Sequence, residues 1–237
     1  MRRAGRVVRE VLELVRSQVK PGASTFDLEN AAEKKIAELG ARPAFKGYHG
    51  FPAVLCTSIN SEVVHGIPSP KRVLKEGDIV SVDCGAIVDG YYGDAAITVP
   101  VGQKIDPKTD RLLKVTEASL HAGIAAVKPG ATLGDIGAAV QQVVEAEGFS
   151  VVRDFVGHGI GSSMHEDPQV PNFGEAGRGM KLRTGMVIAI EPMVNAGKPD
   201  VRVLKDGWTA VTGDGSMSAH FEHTVAVTDT GARILTD

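Results

Sequence analysis

The sequence predicts an α+β fold of two similar halves, with the sheets of the halves joined side by side and all the helices laid on one face. Three observations lead to it. Val19-Lys20-Pro21-Gly22-Ala23-Ser24 returns, with one conservative change, as Val127-Lys128-Pro129-Gly130-Ala131-Thr132, an offset of 127 − 19 = 108 residues. The same offset aligns Gly77-Asp78-Ile79-Val80-Ser81-Val82-Asp83 with Gly185-Met186-Val187-Ile188-Ala189-Ile190-Glu191, and two matches in one register imply an internal duplication. Within each half, helical periodicity comes first and strand-like runs follow, so helices and strands are segregated and must bury their apolar faces against each other.

The first helix is read from Val8, Val11, Leu12, Val15 and Val19, which recur at steps of three and four. Each Pro-Gly pair ends a helix, and Ser24 or Thr25, and then Thr132, offer side-chain oxygens to cap a second one, over roughly 26–39 and 134–147. β-Branched runs predict strands around 53–59, 78–88 and 94–101 in the first half, and around 151–156, 185–194 and 221–228 in the second. The chain of 237 residues reads as a single domain, 1–237, with halves at roughly 1–105 and 106–237.

Composition narrows the function. With 26 basic against 29 acidic side chains the net charge is −3, and no basic block offers the footprint of a nucleic-acid binder. Glu10 and Glu13 interrupt the apolar run that a signal peptide would need after Met1-Arg2-Arg3. No stretch is long and apolar enough to span a membrane. Cys56 and Cys84 have no CxxC spacing and are expected to be free thiols in a reducing cytoplasm.

Asp83 and Glu191 end otherwise apolar strands, where a buried charge is costly unless something compensates it. The duplication puts them at equivalent places, where two like charges facing one cleft call for a cation between them. The Asp89-Gly90 turn returns Asp94 beside Asp83, and Glu222 takes the corresponding role in the second half. Four carboxylates balance two divalent cations. His158, in Gly157-His158-Gly159-Ile160-Gly161, adds a nitrogen ligand that favours manganese, iron(II), cobalt or zinc over calcium or magnesium. The glycines around it are expected to bend the backbone sharply and expose the imidazole at a strand end. Taken singly, Asp94 and Glu222 read as solvated hairpin acids, and His158 or His165 as structural histidines; together they read as a site.

At this point the chain resembles a known family. Gly47-Tyr48-His49-Gly50-Phe51-Pro52, Asn60-Ser61-Glu62-Val63-Val64-His65-Gly66, Asp83 through Asp94, Gly157-His158-Gly159 through His165-Glu166, Ile190-Glu191-Pro192, Asp206-Gly207-Trp208-Thr209 and Phe221-Glu222-His223-Thr224 follow one another as in type I, bacterial-type methionine aminopeptidases. The resemblance implies the pita-bread fold: two pseudo-symmetric αβ halves with a curved antiparallel sheet covered by helices on one side. It also implies two divalent metal ions, from Co2+, Mn2+, Fe2+ or Zn2+, held by Asp83, Asp94, His158, Glu191 and Glu222, with Asp94 and Glu222 bridging. The implied activity is a hydrolase that removes the initiator methionine from nascent polypeptide N-termini and prefers a small second residue. His65 and His165 match unligated histidines that contact substrate, and Glu191 is the candidate proton shuttle. Tyr48, Phe51, Cys56, His65, Met164, His165 and Trp208 are expected to bind the substrate. Phe45 stands where many members have cysteine and Met164 where many have phenylalanine, so pocket size is left open.

Two rivals stand beside this reading: a prolidase or proline-specific aminopeptidase of the same fold, which usually carries an extra N-terminal domain, and a non-catalytic binding protein, which commonly loses several ligands. The start of the chain almost at its first helix predicts a cytoplasmic enzyme without N-terminal extensions. A monomer is expected, and a transient ribosome contact rests on the resemblance alone.

Overall fold

A computed structural model describes residues 1–237. Four helices form: α1 (Arg2–Gln18), α2 (Thr25–Glu38), α3 (Pro107–Ala125) and α4 (Leu133–Ala146). Helix α1 buries Ala4, Val7, Val8, Val11, Leu12 and Val15, the three- and four-residue spacing that makes one face of a helix apolar. Ser24 caps α2 and Thr132 caps α4 with the same capping box, in which Asp27 and Asp135 return a bond to the cap backbone. The repeat extends to the backbone pairing. Gly22 N donates to Leu74 O and Gly130 N to Leu182 O, and Ser24 bridges Val73 as Thr132 bridges Lys181, all at the 108-residue offset.

The helices cover a nine-stranded antiparallel sheet. Its central order is Ile79–Val88, Tyr91–Pro100, Glu222–Thr228, Val187–Ile190, Gly157–Gly159 and Glu166–Val170, with Leu55–Ile59 on the outer side of Ile79–Val88. Strands Ile79–Val88 and Tyr91–Pro100 form a hairpin whose Asp89 and Gly90 both take positive φ, 52° and 81°, which matches the twist of the flanking strands. The strands of the two halves meet at Ala95 and His223, which are direct partners. Since 223 − 95 and 222 − 94 are both 128, matching Asp94 with Glu222 runs the local two-fold through that pair. Each half keeps its own apolar core, α1 and α2 against the first hairpin and α3 and α4 against the second-half strands, and Ile97 packs against both.

Besides the strand expected around 151–156, which shrinks to Ser150–Val151, three expectations change. Asp83 lies inside its strand rather than at its end, because pairing continues to the tight turn at Asp89-Gly90. The run 185–194 is two strands, Val187–Ile190 and Met193–Asn195, since Pro192 has no N–H to carry a ladder. The second leaves the large sheet to pair with Ser150–Val151 and Ser218–His220. The third concerns the glycines flanking His158. Gly157 and Gly159 form an extended three-residue strand with His158, not a sharp bend. A side chain there would collide with the carbonyl oxygens of Ala189 and Asp167, so glycine serves close strand approach.

Candidate metal centre and substrate cleft

Alternation along strands decides which side chains meet. Cys56, Asp83, Ala96 and Glu222 are successive cross-strand partners, a single row on the face turned away from the helices. Asp94, partner of Gly85, sits diagonally beside Asp83 on that face. His223 pairs with Ile190, so the next residues of these strands, Glu222 and Glu191, come alongside each other. Small Ala96 in the middle of the row leaves room between the acids.

Asp94, His158 and Glu222 each offer a ligand atom within 4.8 Å of the others, and all three are buried. His158 Nε2 lies 3.8 Å from Asp94 Oδ2 and 3.5 Å from Glu191 Oε1. Its Nδ1 is 2.9 Å from Gly159 O, so Nδ1 carries the proton and Nε2 presents its lone pair to the acids. Burial pushes the Asp83 carboxyl up to about 7. Asp94, Glu191 and Glu222 are held well above the carboxylate range, first by burial and then by one another's charge. Burial lowers His158 to about 4, which keeps it neutral.

These residues fit a divalent cation. Asp83 Oδ1, Asp94 Oδ1 and Glu222 Oε1 are buried without hydrogen-bond partners, a rare condition in folded proteins. No lysine or arginine joins the cleft lining to balance the acids. Mixed carboxylate and imidazole donors suit manganese, iron, cobalt or zinc.

The acids floor a cavity of about 240 Å³ that every site residue named from the sequence lines, joined by Phe45 and His49. Phe45, Phe51, Cys56 and Met164 are buried, with Tyr48 and Trp208 packed against them. Phe51 and Trp208 meet edge to face at 5.1 Å. Phe45 lies over Gly85, where any side chain would meet its ring. Burial raises the Cys56 thiol well above its ordinary value, consistent with an inert wall.

The two further histidines flank the acids. His165 Nδ1 is 2.8 Å from the Tyr48 hydroxyl and its ring is 4.2 Å from that of His158. Tyr48 is thus a polar partner as well as an apolar wall. His65 stands edge to face with Phe155 and takes φ 62°, a conformation uncommon outside glycine and concentrated at functional sites. Burial lowers it to about 4.

Sequence reasoning missed His220, Thr224, Asn172 and His49. His220 Nε2 lies 3.7 Å from Glu191 Oε2, Thr224 bonds the Asp94 backbone, and Asn172 Nδ2 donates to Glu191 O at 3.1 Å. The period-two spacing of His220, Glu222 and Thr224 carried the signal for two of them, since it points all three to one side. His49 lies in the short 3-10 turn Tyr48–Gly50 and Asn172 in a loop, without a period to expose them.

The model of metallopeptidase family M24 matches residues 1–229. A methionine aminopeptidase of Clostridium acetobutylicum is 54% identical over 236 residues, covering 100% of this chain and 94% of that protein. The crystal structure of methionine aminopeptidase from Thermotoga maritima superposes with a TM-score of 0.98 at 50% identity, over 100% of this chain and 95% of that one. A prolidase from Pyrococcus horikoshii shares the fold at a TM-score of 0.78 and 24% identity, and this chain spans 60% of its length. With its acids, histidines and apolar cleft in one cavity and these relatives along its whole length, the chain belongs to metallopeptidase family M24, within the bacterial-type methionine aminopeptidases.

Proposed function

We infer that residues 1–237 act as one catalytic domain that hydrolyses the first peptide bond of nascent polypeptides, removes the initiator methionine and prefers a small second residue. The observation that carries this reading is the junction of buried, partnerless carboxylates with the apolar wall of Phe45, Phe51, Cys56 and Met164 in one cavity of about 240 Å³.

Asp83, Asp94, His158, Glu191 and Glu222 are the residues that would hold two divalent ions. When bound, such ions lower the pKa of a water and polarise the scissile carbonyl. The protein's own groups do the rest. The methionine thioether packs among Phe51, Trp208 and Met164, where sulfur meets aromatic edges. Asp83 helps hold the free α-amine, which enters neutral. Glu191 takes the proton of the attacking water and passes it toward the leaving amine. His165 accepts from the Tyr48 hydroxyl at Nδ1 and donates from Nε2 to the carbonyl oxygen, where growing negative charge strengthens the bond. His65, on the neighbouring wall, supports departure of the amide nitrogen.

In this proposal the protein works as a monomer in the cytoplasm on chains leaving the ribosome; its two cysteines are free, and no helix is long and apolar enough to cross a membrane. A comparison of Met-Ala-Ser with an Xaa-Pro peptide tests the substrate class. Cleavage of the first alone is expected; cleavage of the second alone would assign the chain to proline-specific hydrolysis.

A further inference from the structure

His220 has no part in the reaction described above, yet it is 1% exposed and lies behind Glu191, a residue of the cleft lining. It comes from Ser218–His220, a strand of a smaller sheet paired with Met193–Asn195. The two oxygens of Glu191 are thereby divided between two imidazoles. Oε1 lies 3.5 Å from His158 Nε2 and Oε2 lies 3.7 Å from His220 Nε2.

The backbone of His220 is fixed independently of its ring. Thr98 Oγ1 donates to His220 O at 2.7 Å, the His220 amide donates to Thr98 Oγ1 at 2.9 Å, and Ser81 Oγ backs Thr98 at 2.9 Å. Ser81 and Thr98 are register partners in the hairpin that carries Asp83 and Asp94, so one framework aims the ring and the acids together. Nε2 is buried without a hydrogen-bond partner, and the carboxylate beside it is the acceptor such a donor needs. Glu191 is the acid that lies within 4.0 Å of His220 Nε2.

We propose that His220 is a positioning residue for Glu191: its Nε2–H donates to Oε2 and holds the carboxylate plane so that Oε1 is turned toward His158 and the reacting centre. The donor fixes which oxygen is free to exchange a proton, much as outer partners orient ligands in other metal sites. This rests on the reading of Glu191 as the proton carrier.

The test compares His220→Gln, whose amide can donate, with His220→Leu, which is close in volume and cannot. For His220→Leu, kcat on Met-Ala-Ser should fall about ten- to a hundredfold while KM moves less than about threefold. Binding of Mn2+ to EDTA-stripped protein, followed by calorimetry, should weaken by a smaller factor than kcat, and His220→Gln should recover most of both. His220→Leu as fast as the parent, or His220→Gln as slow as His220→Leu, overturns the proposal. So does metal affinity that falls in step with kcat, which would make His220 a ligand. If His220→Leu does not fold, proton–nitrogen correlation of the zinc-loaded parent decides. A proton on His220 Nε2 whose shift moves in Glu191→Gln supports the bond, and a bare Nε2 overturns it. Glu191→Ala separates the two ideas: turnover retained there removes the proton carrier while the 3.7 Å approach of the two side chains stands.

Discussion

Thr224 and Asp94 exchange two hydrogen bonds across the join between the halves: Asp94 N donates to Thr224 Oγ1 at 3.0 Å, and Thr224 Oγ1 donates to Asp94 O at 2.7 Å. One hydroxyl therefore fixes the backbone under an acid of the first half from the strand that carries Glu222. Thr224→Val keeps the shape but leaves the buried Asp94 N–H unpaired, which should cost about 1–3 kcal/mol in denaturant unfolding of the metal-free protein. Unchanged stability would show that another group satisfies this amide.

The acids make the effect of metal depend on pH in a stated direction. Asp83 is pushed up to about 7, and Asp94, Glu191 and Glu222 are held well above the carboxylate range, all chiefly by burial. Raised carboxyl groups add stability that is complete below their unfolded values near about pH 4 and is lost as pH rises through the folded ones. His158, lowered to about 4 by burial, acts oppositely, adding stability above about 6.5 that is lost as pH falls toward the folded value. A cation needs the carboxylates ionised and the imidazole neutral, so it competes with protons at every ligand. The gap in melting temperature between Mn2+-saturated and EDTA-stripped protein should widen from about pH 5 to about pH 8. A constant gap contradicts metal binding at these residues.

Gly159 tests the close approach of strands that carries His158. In Gly159→Ala the new methyl meets Asp167 O and must push the strands apart, at a cost of about 1–3 kcal/mol. Since the Gly159 carbonyl also fixes the His158 ring, Mn2+ affinity should fall together with the melting temperature. A fully stable Gly159→Ala with normal affinity would show that the strands have slack.

Glu29 of α2 is 6% exposed and accepts from Val54 N at 2.6 Å and Leu55 N at 2.9 Å, immediately before Cys56 in the pocket wall. Glu29→Gln turns one acceptor into a donor facing an N–H. The expected loss is about 1–3 kcal/mol of stability, with KM for Met-Ala-Ser raised more than kcat is lowered. An effect on kcat alone would place the influence of Glu29 on the chemistry instead.

How much of this was legible in the sequence differs by residue. The duplication was readable because the helix caps and strand starts repeat at one offset; of the two residues offered for the first cap Ser24 takes it, and Thr132 takes the second. Asp83 and Glu191 stood out because charge is rare in apolar strands. Asp94, Glu222 and the pocket residues needed the resemblance, since nothing local separates a hairpin acid or a core aromatic from a functional one. The bend expected at Gly157 and Gly159 failed because glycine signals freedom of backbone and closeness of neighbours alike, and only the tertiary partners Ala189 and Asp167 tell which applies. His220 became visible through its distance to Glu191, a contact between strands of different sheets.

The most direct test of the account is cleavage of Met-Ala-Ser by EDTA-stripped protein as Mn2+ or Co2+ is added, run beside Glu191→Ala. Turnover should vanish after chelation, return with added metal in the parent chain, and stay absent in Glu191→Ala. Full turnover in the stripped protein, or in Glu191→Ala, would contradict it.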